Sequence, residues 1–337
     1  MLRFIIKRTS QSIFVILGVS IIIFVISRIV PGDPARLALG PAAPQFAIDQ
    51  LRQEMHLDEA LPVQYYHWFS GVLKGDFGRS INTKRPVLED IKEFFPATLE
   101  LILFSGVQII LFSIILGLLA IGFRDTWIDG TIRVIAYIGV AIPAFVVGTI
   151  LILIFGYIWP VLPVLGRLGM EIIPPERVTG MLIIDSLIDG NFQALFDAVK
   201  RLLLPASTLS LALAFGNARI FRSALADKMR KDYISVSTGY GIPRNLILRK
   251  YLLKPSSIPL ISSLGFCLPN LFGVAFIVET IFLWPGMSRY GMNAMLSKDL
   301  NAISAVVIIT GVAFSLANII VDILIASIDP RIRLGGK

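Results

Sequence analysis

Apolar and polar positions fall in long blocks along this chain, without the residue-by-residue alternation of strands. Apolar runs occupy 9–30, 98–123, 134–158, 202–221, 259–283 and 302–328. A helix rises 1.5 Å per residue, so about 20 apolar residues cross the hydrocarbon layer of a bilayer. The pattern therefore predicts an all-α integral membrane protein with six transmembrane helices. Pro143, Pro205 and Pro269 lie inside three of these runs, and Pro205 is expected to break the fourth. A proline there frees a carbonyl, which is tolerated only against neighbouring helices or a lined cavity. Gly265, Pro269 and Gly273 in the fifth run predict close approach of another helix.

Two long polar segments, 31–96 and 159–201, join runs on one side of the membrane. Within the first, 49–57 reads as a short helix. The stretch 62–73 carries Tyr65, Tyr66, Trp68 and Phe69, aromatics that suit a membrane surface. In the second, Phe192, Leu195, Phe196 and Val199 recur at helical spacing and predict an amphipathic helix lying on the bundle or membrane. The first run resembles a signal peptide only superficially. It is too long, and no small-residue cleavage site follows it.

The polar stretch between the fourth and fifth runs is of a different kind. It holds Arg219, Arg222, Lys228, Arg230, Lys231, Arg244, Arg249, Lys250 and Lys254, offset only by Asp227 and Asp232. From 222 to 233 it contains helix formers and neither Gly nor Pro, which predicts a helix. Gly239, Gly241 and Pro243 then predict a sharp break. Leu246, Ile247, Arg249, Lys250, Leu252 and Leu253 predict a second amphipathic helix that ends before Pro255. By pattern alone, this is either a protrusion for a soluble partner to grip or a solvated connector whose charges only set topology.

Composition supports the membrane class: 337 residues, 55% hydrophobic and 16% charged. A net charge of +8 raises nucleic acid as a partner, but the placement of the charge argues for topology instead. Arg3, Lys7, Arg8, Arg124, Arg133, the island and Arg331, Arg333 and Lys337 fall on one face. The acids on that face are Asp125, Asp129, Asp227, Asp232 and Asp329, whereas acids outnumber bases in the longer opposite loops. Six spans with both termini in the cytoplasm satisfy the positive-inside rule. Cys267 is the only cysteine, so no intramolecular disulfide is expected.

Catalytic signatures are missing. No Gly-x-x-x-x-Gly-Lys-Ser/Thr loop is present to cradle ATP, and no His-Glu-x-x-His or Gly-x-Ser-x-Gly. Both histidines, His56 and His67, lie in the first outer segment without further ligands at useful spacing, so no metal site is expected there. Glu100, Glu279 and Asp322 sit near span ends. An ion-coupled carrier needs central acids. For Glu279 a packed, hydrogen-bonded role is preferred to substrate contact.

Several segments carry a resemblance that covers nearly the whole chain. They are Val30-Pro31-Gly32-Asp33-Pro34, Gly75-Asp76-Phe77-Gly78-Arg79-Ser80 with Pro86-Val87, Gly139 to Phe145, and Ala218-Arg219 through Asp232-Tyr233-Ile234 and Gly241 to Pro259. The most specific are Phe276 to Met287, and Asn318, Asp322 and Asp329-Pro330-Arg331-Ile332-Arg333. In these the chain resembles permeases of binding-protein-dependent ABC importers of the oligopeptide/dipeptide/nickel family. The family's Glu-Ala-Ala motif falls on Ser235-Val236-Ser237, and its following Gly on Gly241; only the glycine is kept.

The resemblance implies a type I ABC importer permease fold with a cytoplasmic coupling helix docked on an ATPase subunit. The ATPase-coupling residues it implies are Asp232, Tyr233, Ser235, Ser237, Thr238, Gly239, Tyr240, Gly241, Ile242 and Pro243. It also implies a second related permease, two ATP-binding cassette ATPases that bind ATP and Mg, an extracytoplasmic binding protein, and a bacterial or archaeal inner membrane. The long first outer loop resembles the first-named permease of such pairs, hence a heterodimer. The expected layout is a first helix with its N-terminus (1–30), an extracytoplasmic loop (31–97), a five-helix core with a coupling loop at 222–258 (98–333) and a short tail (334–337). Di- or oligopeptides are the expected cargo, with nickel or a metal chelate as alternative. A self-contained ion-coupled transporter or an intramembrane enzyme is the remaining alternative.

Overall fold

The structure, a computed structural model, describes residues 2–29, 33–40, 43–54 and 56–328. Val30-Pro31-Gly32, Asp329 to Arg333 and the 334–337 tail lie outside the described residues. Among those described, helices account for the architecture, and one isolated bridge pairs Arg79 with Pro86.

α1 (Leu2–Ile29) is followed by three short helices, α2 (Pro34–Leu39), α3 (Gln45–Glu54) and α4 (Leu61–Leu73). Then come α5 (Val87–Gly122), α6 (Trp127–Ala141), α7 (Ala144–Ile152) and α8 (Leu182–Asp189). α9 (Phe192–Met229) leads to α10 (Asp232–Gly239) and the single turn α11 (Arg244–Leu246). α12 (Lys254–Ile281), α13 (Met287–Leu296) and α14 (Leu300–Ile328) complete the described fold. Among the described residues, five helices are long and apolar enough to cross a membrane, and a bent pair offers a sixth crossing.

That pair is α6 with Ala144–Ile158, bent by 111°. The cause is local. Pro143 disfavours the helical conformation of the residue before it, and Ile142 is extended at φ −81°, ψ 128°. α6 therefore ends at Ala141, and α7 starts beyond Pro143, passing into π-helical winding at Leu153–Ile158. The expected third span is thus two helices, and its first starts at Trp127, inside what the sequence reads as a loop.

Pro205 behaves differently. α9 runs through it unbroken for 38 residues. It packs against α5, α6, α7, α8 and α12, and this packing offsets the single missing hydrogen bond. Half of its membrane-crossing window is buried, against 17% for α1, so α9 is the central post. Leu202, Leu209, Phe221 and Leu225 of α9 form the core with Leu101 and Ile109 of α5 and with Leu271 and Val278 of α12. α1 packs on α14.

Three sequence expectations about this region are corrected. The separate helix at 192–199 is the first two turns of α9. Its buried residues are Ala194 and Ala198, while Phe192 and Phe196 are exposed. The helix expected over 222–233 is split: α9 stops at Met229, and Lys231 is the extended cap of α10. Pro255 does not end a helix either. It sits in the first turn of α12, which is continuous with α11 through π-helical winding at Ile247–Leu253. Pro255 thus lies inside one helical run from Arg244 to Ile281, and its missing N–H falls where the π-helical winding passes into α12.

Of the small residues in α12, Gly265 meets the expectation. A Cβ there would fall 2.3 Å from Cδ1 of Ile325 and 2.7 Å from Cγ1 of Val321, both on α14. Gly273 has nothing within 4 Å and takes no part in that contact.

Candidate functional site

α10 and the turn after it stand at one end of the bundle, between the ends of α9 and α12. Asp232, Tyr233, Ser235, Thr238, Gly239, Tyr240, Gly241 and Pro243 are exposed, Ile242 is half-buried and only Ser237 is buried. Tyr240 is 83% exposed and Val236 53%, large side chains that no described residue of this chain covers. Asp232 lies in the first turn of α10, where the helix dipole favours an acid. The Tyr233 hydroxyl donates to the Tyr251 carbonyl at 3.3 Å, tying α10 to the winding below α12.

The turn is built to hold its shape. The Gly241 N–H donates to the Thr238 carbonyl at 3.0 Å, and the Ile242 N–H to the Ser237 carbonyl at 3.2 Å. Gly241 is left-handed at φ 72°. This pair of bonds with a left-handed glycine is a Schellman cap. Residues 232–243 are thus one preorganised knob, although no Gly or Pro marks its start.

The basic island is less free than its sequence implies. The buried carboxylate of Asp129, near the start of α6, accepts two bonds from Arg222 of α9, at 2.7 and 2.5 Å. Arg133 adds a second cation at 3.7 Å. Arg219 lies over the Tyr137 ring at 5.2 Å. Asp129, read as a loop acid, is therefore an internal anchor that fixes α6 to α9 close to α10. At the same end Arg8 pairs with Asp322 at 3.1 Å, joining α1 to α14.

The opposite end is held by buried carboxylates. Glu279, at the end of α12, accepts from Thr98 Oγ1 at 2.5 Å and from the Ser288 N–H at 2.8 Å. Ser288 is in the first turn of α13, so Glu279 meets the positive end of that helix. Thr98 Oγ1 in turn accepts from the Met287 N–H at 2.8 Å, and Trp284 Nε1 donates to the Ala97 carbonyl at 2.9 Å. Glu279 therefore has the packed role preferred from sequence. Glu100 accepts from Arg167 and from the Ile183 N–H. Asp90 accepts from Thr83, Arg85 and Tyr290, and Asp299 from Ser80 and the Ile81 N–H. Burial pushes the Tyr290 hydroxyl well above its ordinary range, and the adjacent Asp90 carboxylate adds to that.

These acids bind protein groups, which suits clamps between helices and not a proton relay. Arg133 and Arg85 lie within five positions of their acids, but the partners that join distant helices could not be found by spacing in the chain. Asp129 and Arg222 are 93 positions apart, and Thr98 and Glu279 are 181 apart.

One grouping departs from the sequence reading. His56 and His67 stack with ring centroids 3.9 Å apart, and Glu59 stands beside both. The third ligand type missed by spacing is supplied by the turn between α3 and α4.

Comparison with known proteins matches the same regions. Residues 109–334 match the family described as binding-protein-dependent transport system inner membrane component, and residues 1–102 match its N-terminal companion. A probable D,D-dipeptide transport system permease protein of Escherichia coli is 39% identical over 325 residues, covering 96% of this chain and 95% of that protein. A dipeptide transport system permease protein of Alkalihalophilus pseudofirmus is 32% identical, over 99% of this chain and 100% of that protein. A glutathione transport system permease protein of Salmonella choleraesuis is 32% identical, over 99% of both. With an all-helical bundle, five or six apolar spans and matches along nearly its whole length, this chain belongs to the binding-protein-dependent ABC transport permeases, as a multi-pass inner membrane component.

Proposed function

We propose that this chain is one of two permease subunits that form the translocation path for di- or oligopeptides in an ATP-driven importer. An extracytoplasmic binding protein delivers the peptide to the segments between α1 and α5 and between α7 and α9. Two ATPase subunits, which bind ATP and Mg, drive the importer, and one of them docks on α10 and on Tyr240 to Pro243 of this chain. Both termini are cytoplasmic in this reading, as the asymmetry of Lys and Arg supports.

The observation that carries the proposal is the exposed, capped knob at 232–243. It lies directly between α9, the central post, and α12, which packs on it. A push on the knob is delivered to the two helices that hold the core together, without a flexible linker. An amphipathic helix seated in a groove of a soluble partner is a common recognition mode. Rigid-body rocking of the bundle then exposes the path alternately to either side.

The relatives named above are dipeptide and glutathione permeases, which favours a peptide and gives the nickel alternative no support. Membership of a permease family, with the buried acids engaged as clamps, likewise leaves the self-contained carrier and the intramembrane enzyme without a supporting observation. The test is ATPase activity of the reconstituted complex, with the binding protein loaded in turn with dipeptides, oligopeptides and a nickel salt. Stimulation by peptide alone is expected. Stimulation by nickel alone would overturn the cargo but keep the coupling.

A further inference from the structure

We propose that His56, Glu59 and His67 bind one divalent transition-metal ion of the zinc class. These are the only two histidines of the chain, and the fold brings them into ring contact from either side of the α3–α4 turn. Glu59 Oε1 lies 2.9 Å from His56 Nδ1, and Glu59 Oε2 lies 3.9 Å from His67 Nε2. One ligand atom from each of the three residues falls within 4.8 Å of the others.

The cluster is formed by the scaffold. His56 takes a left-handed conformation at φ 55°, which turns the chain back towards α4. Gln64 of α4 is buried, and its Nε2 donates to the Leu57 carbonyl at 3.0 Å and the Glu59 carbonyl at 2.8 Å. That buried amide fixes the turn that carries Glu59, just before α4, beside His67. Two imidazoles and a carboxylate are a ligand set that zinc takes, at about 2.0–2.2 Å to each atom. Tetrahedral ligands at that radius stand roughly 3.3 Å apart, between the two separations found here.

Seating an ion requires the rings to open from parallel and the Glu59 carboxylate to swing between them. All three side chains are about two-fifths exposed, so they have room to turn. Both histidines also line a cavity of about 720 Å³, with Glu54, Asp76, Arg79 and Lys84 around it. The fourth position therefore has space for a water. Bound there, the ion ties the turn at 56–59 to α4 and stiffens the segment between α1 and α5.

The experiment uses the full chain without a histidine tag, in lipid nanodiscs, titrated with Zn²⁺ against a chromophoric chelator. One zinc per chain is expected, and His56→Ala or His67→Ala is expected to weaken it at least about tenfold. Glu59→Gln, which keeps shape and removes the charge, is expected to weaken it as well. Zinc is expected to raise the unfolding temperature of the unsubstituted chain and not that of His56→Ala/His67→Ala. The double variant must unfold without metal at the same temperature as the unsubstituted chain, which separates lost binding from lost folding. Failure of the unsubstituted chain to hold zinc, or equal binding by the double variant, overturns the proposal. In that case the cluster is a hydrogen-bonded surface group.

Discussion

Thr98 Oγ1 donates to the buried Glu279 carboxyl group at 2.5 Å, tying the second membrane helix to the end of the fifth. The same carboxyl group fills the space in front of Gly286, where a Cβ would sit 2.3 Å from Oε1. Glu279 and Gly286 are therefore one device, a carboxyl group placed under the start of α13 with a glycine left open for it. Glu279→Ala leaves the Thr98 hydroxyl and the Ser288 N–H buried without an acceptor, at a cost of about 3 kcal/mol. Gly286→Ala forces the carboxyl group away and is expected to destabilise in the same direction. Thermal unfolding of the solubilised chain checks both. Unchanged stability of Glu279→Ala would refute the clamp and return Glu279 to the candidates for substrate contact.

Asp129 and Arg222 make the corresponding anchor at the other end. Removing one partner of a buried pair leaves an uncompensated charge, costing about 3–5 kcal/mol. Asp129→Ala alone is thus expected to destabilise strongly. Asp129→Ala with Arg222→Met is expected to recover most of that loss, because no buried charge remains. A double-mutant cycle on unfolding free energy measures the coupling. Additive losses would mean that the two residues act independently.

Much of the architecture is legible in the sequence because it depends on local chemistry. Apolar runs mark the spans, and Gly241 marks the left-handed cap. What stays hidden depends on distant or unmarked contacts. The break at Arg230 and Lys231 carries neither Gly nor Pro, so a helix is expected to run through it. Asp129 reads as a solvated loop acid because its partner arrives 93 positions later. Glu59 joins the histidines only because Gln64 folds the α3–α4 turn onto α4. Proline misleads in both directions: Pro205 and Pro255 lie inside unbroken helices, whereas Pro143, expected inside one span, splits it in two.

Asp185 makes one pH-dependent contact outside the spans. Burial raises its carboxyl group, but the Thr179 hydroxyl and the N–H groups of Thr179 and Gly180 outweigh burial and hold it below its ordinary range. A carboxyl group lowered in the folded state contributes stability above its unfolded value, near pH 4. That stability is lost as pH falls through the lower folded value. Hydrogen exchange at Thr179 and Gly180 is therefore expected to be slow at neutral pH and to lose protection only in strong acid. Asp185→Asn is expected to exchange faster at pH 7 and to lose the acid dependence. Equal protection in the variant would show that the carboxylate does not hold this loop.

The knob at 232–243 allows coupling to be separated from folding. Gly241 is left-handed at φ 72°, with nothing within 4 Å of a Cβ placed on it. Gly241→Ala meets only backbone strain, about 1 kcal/mol, and is expected to leave transport nearly intact. Gly241→Pro cannot adopt that φ and loses the N–H that caps α10 at Thr238. Its damage is confined to the exposed turn, because α9 and α12 are packed by their own core residues. The expected result is an unfolding temperature close to that of the unsubstituted chain, with ATP hydrolysis no longer stimulated by loaded binding protein. Tyr240→Ala removes a side chain that is 83% exposed among the described residues, and is expected to weaken ATPase association without any change in stability. Full peptide-stimulated hydrolysis in both Gly241→Pro and Tyr240→Ala would place the docking surface elsewhere on this end of the bundle.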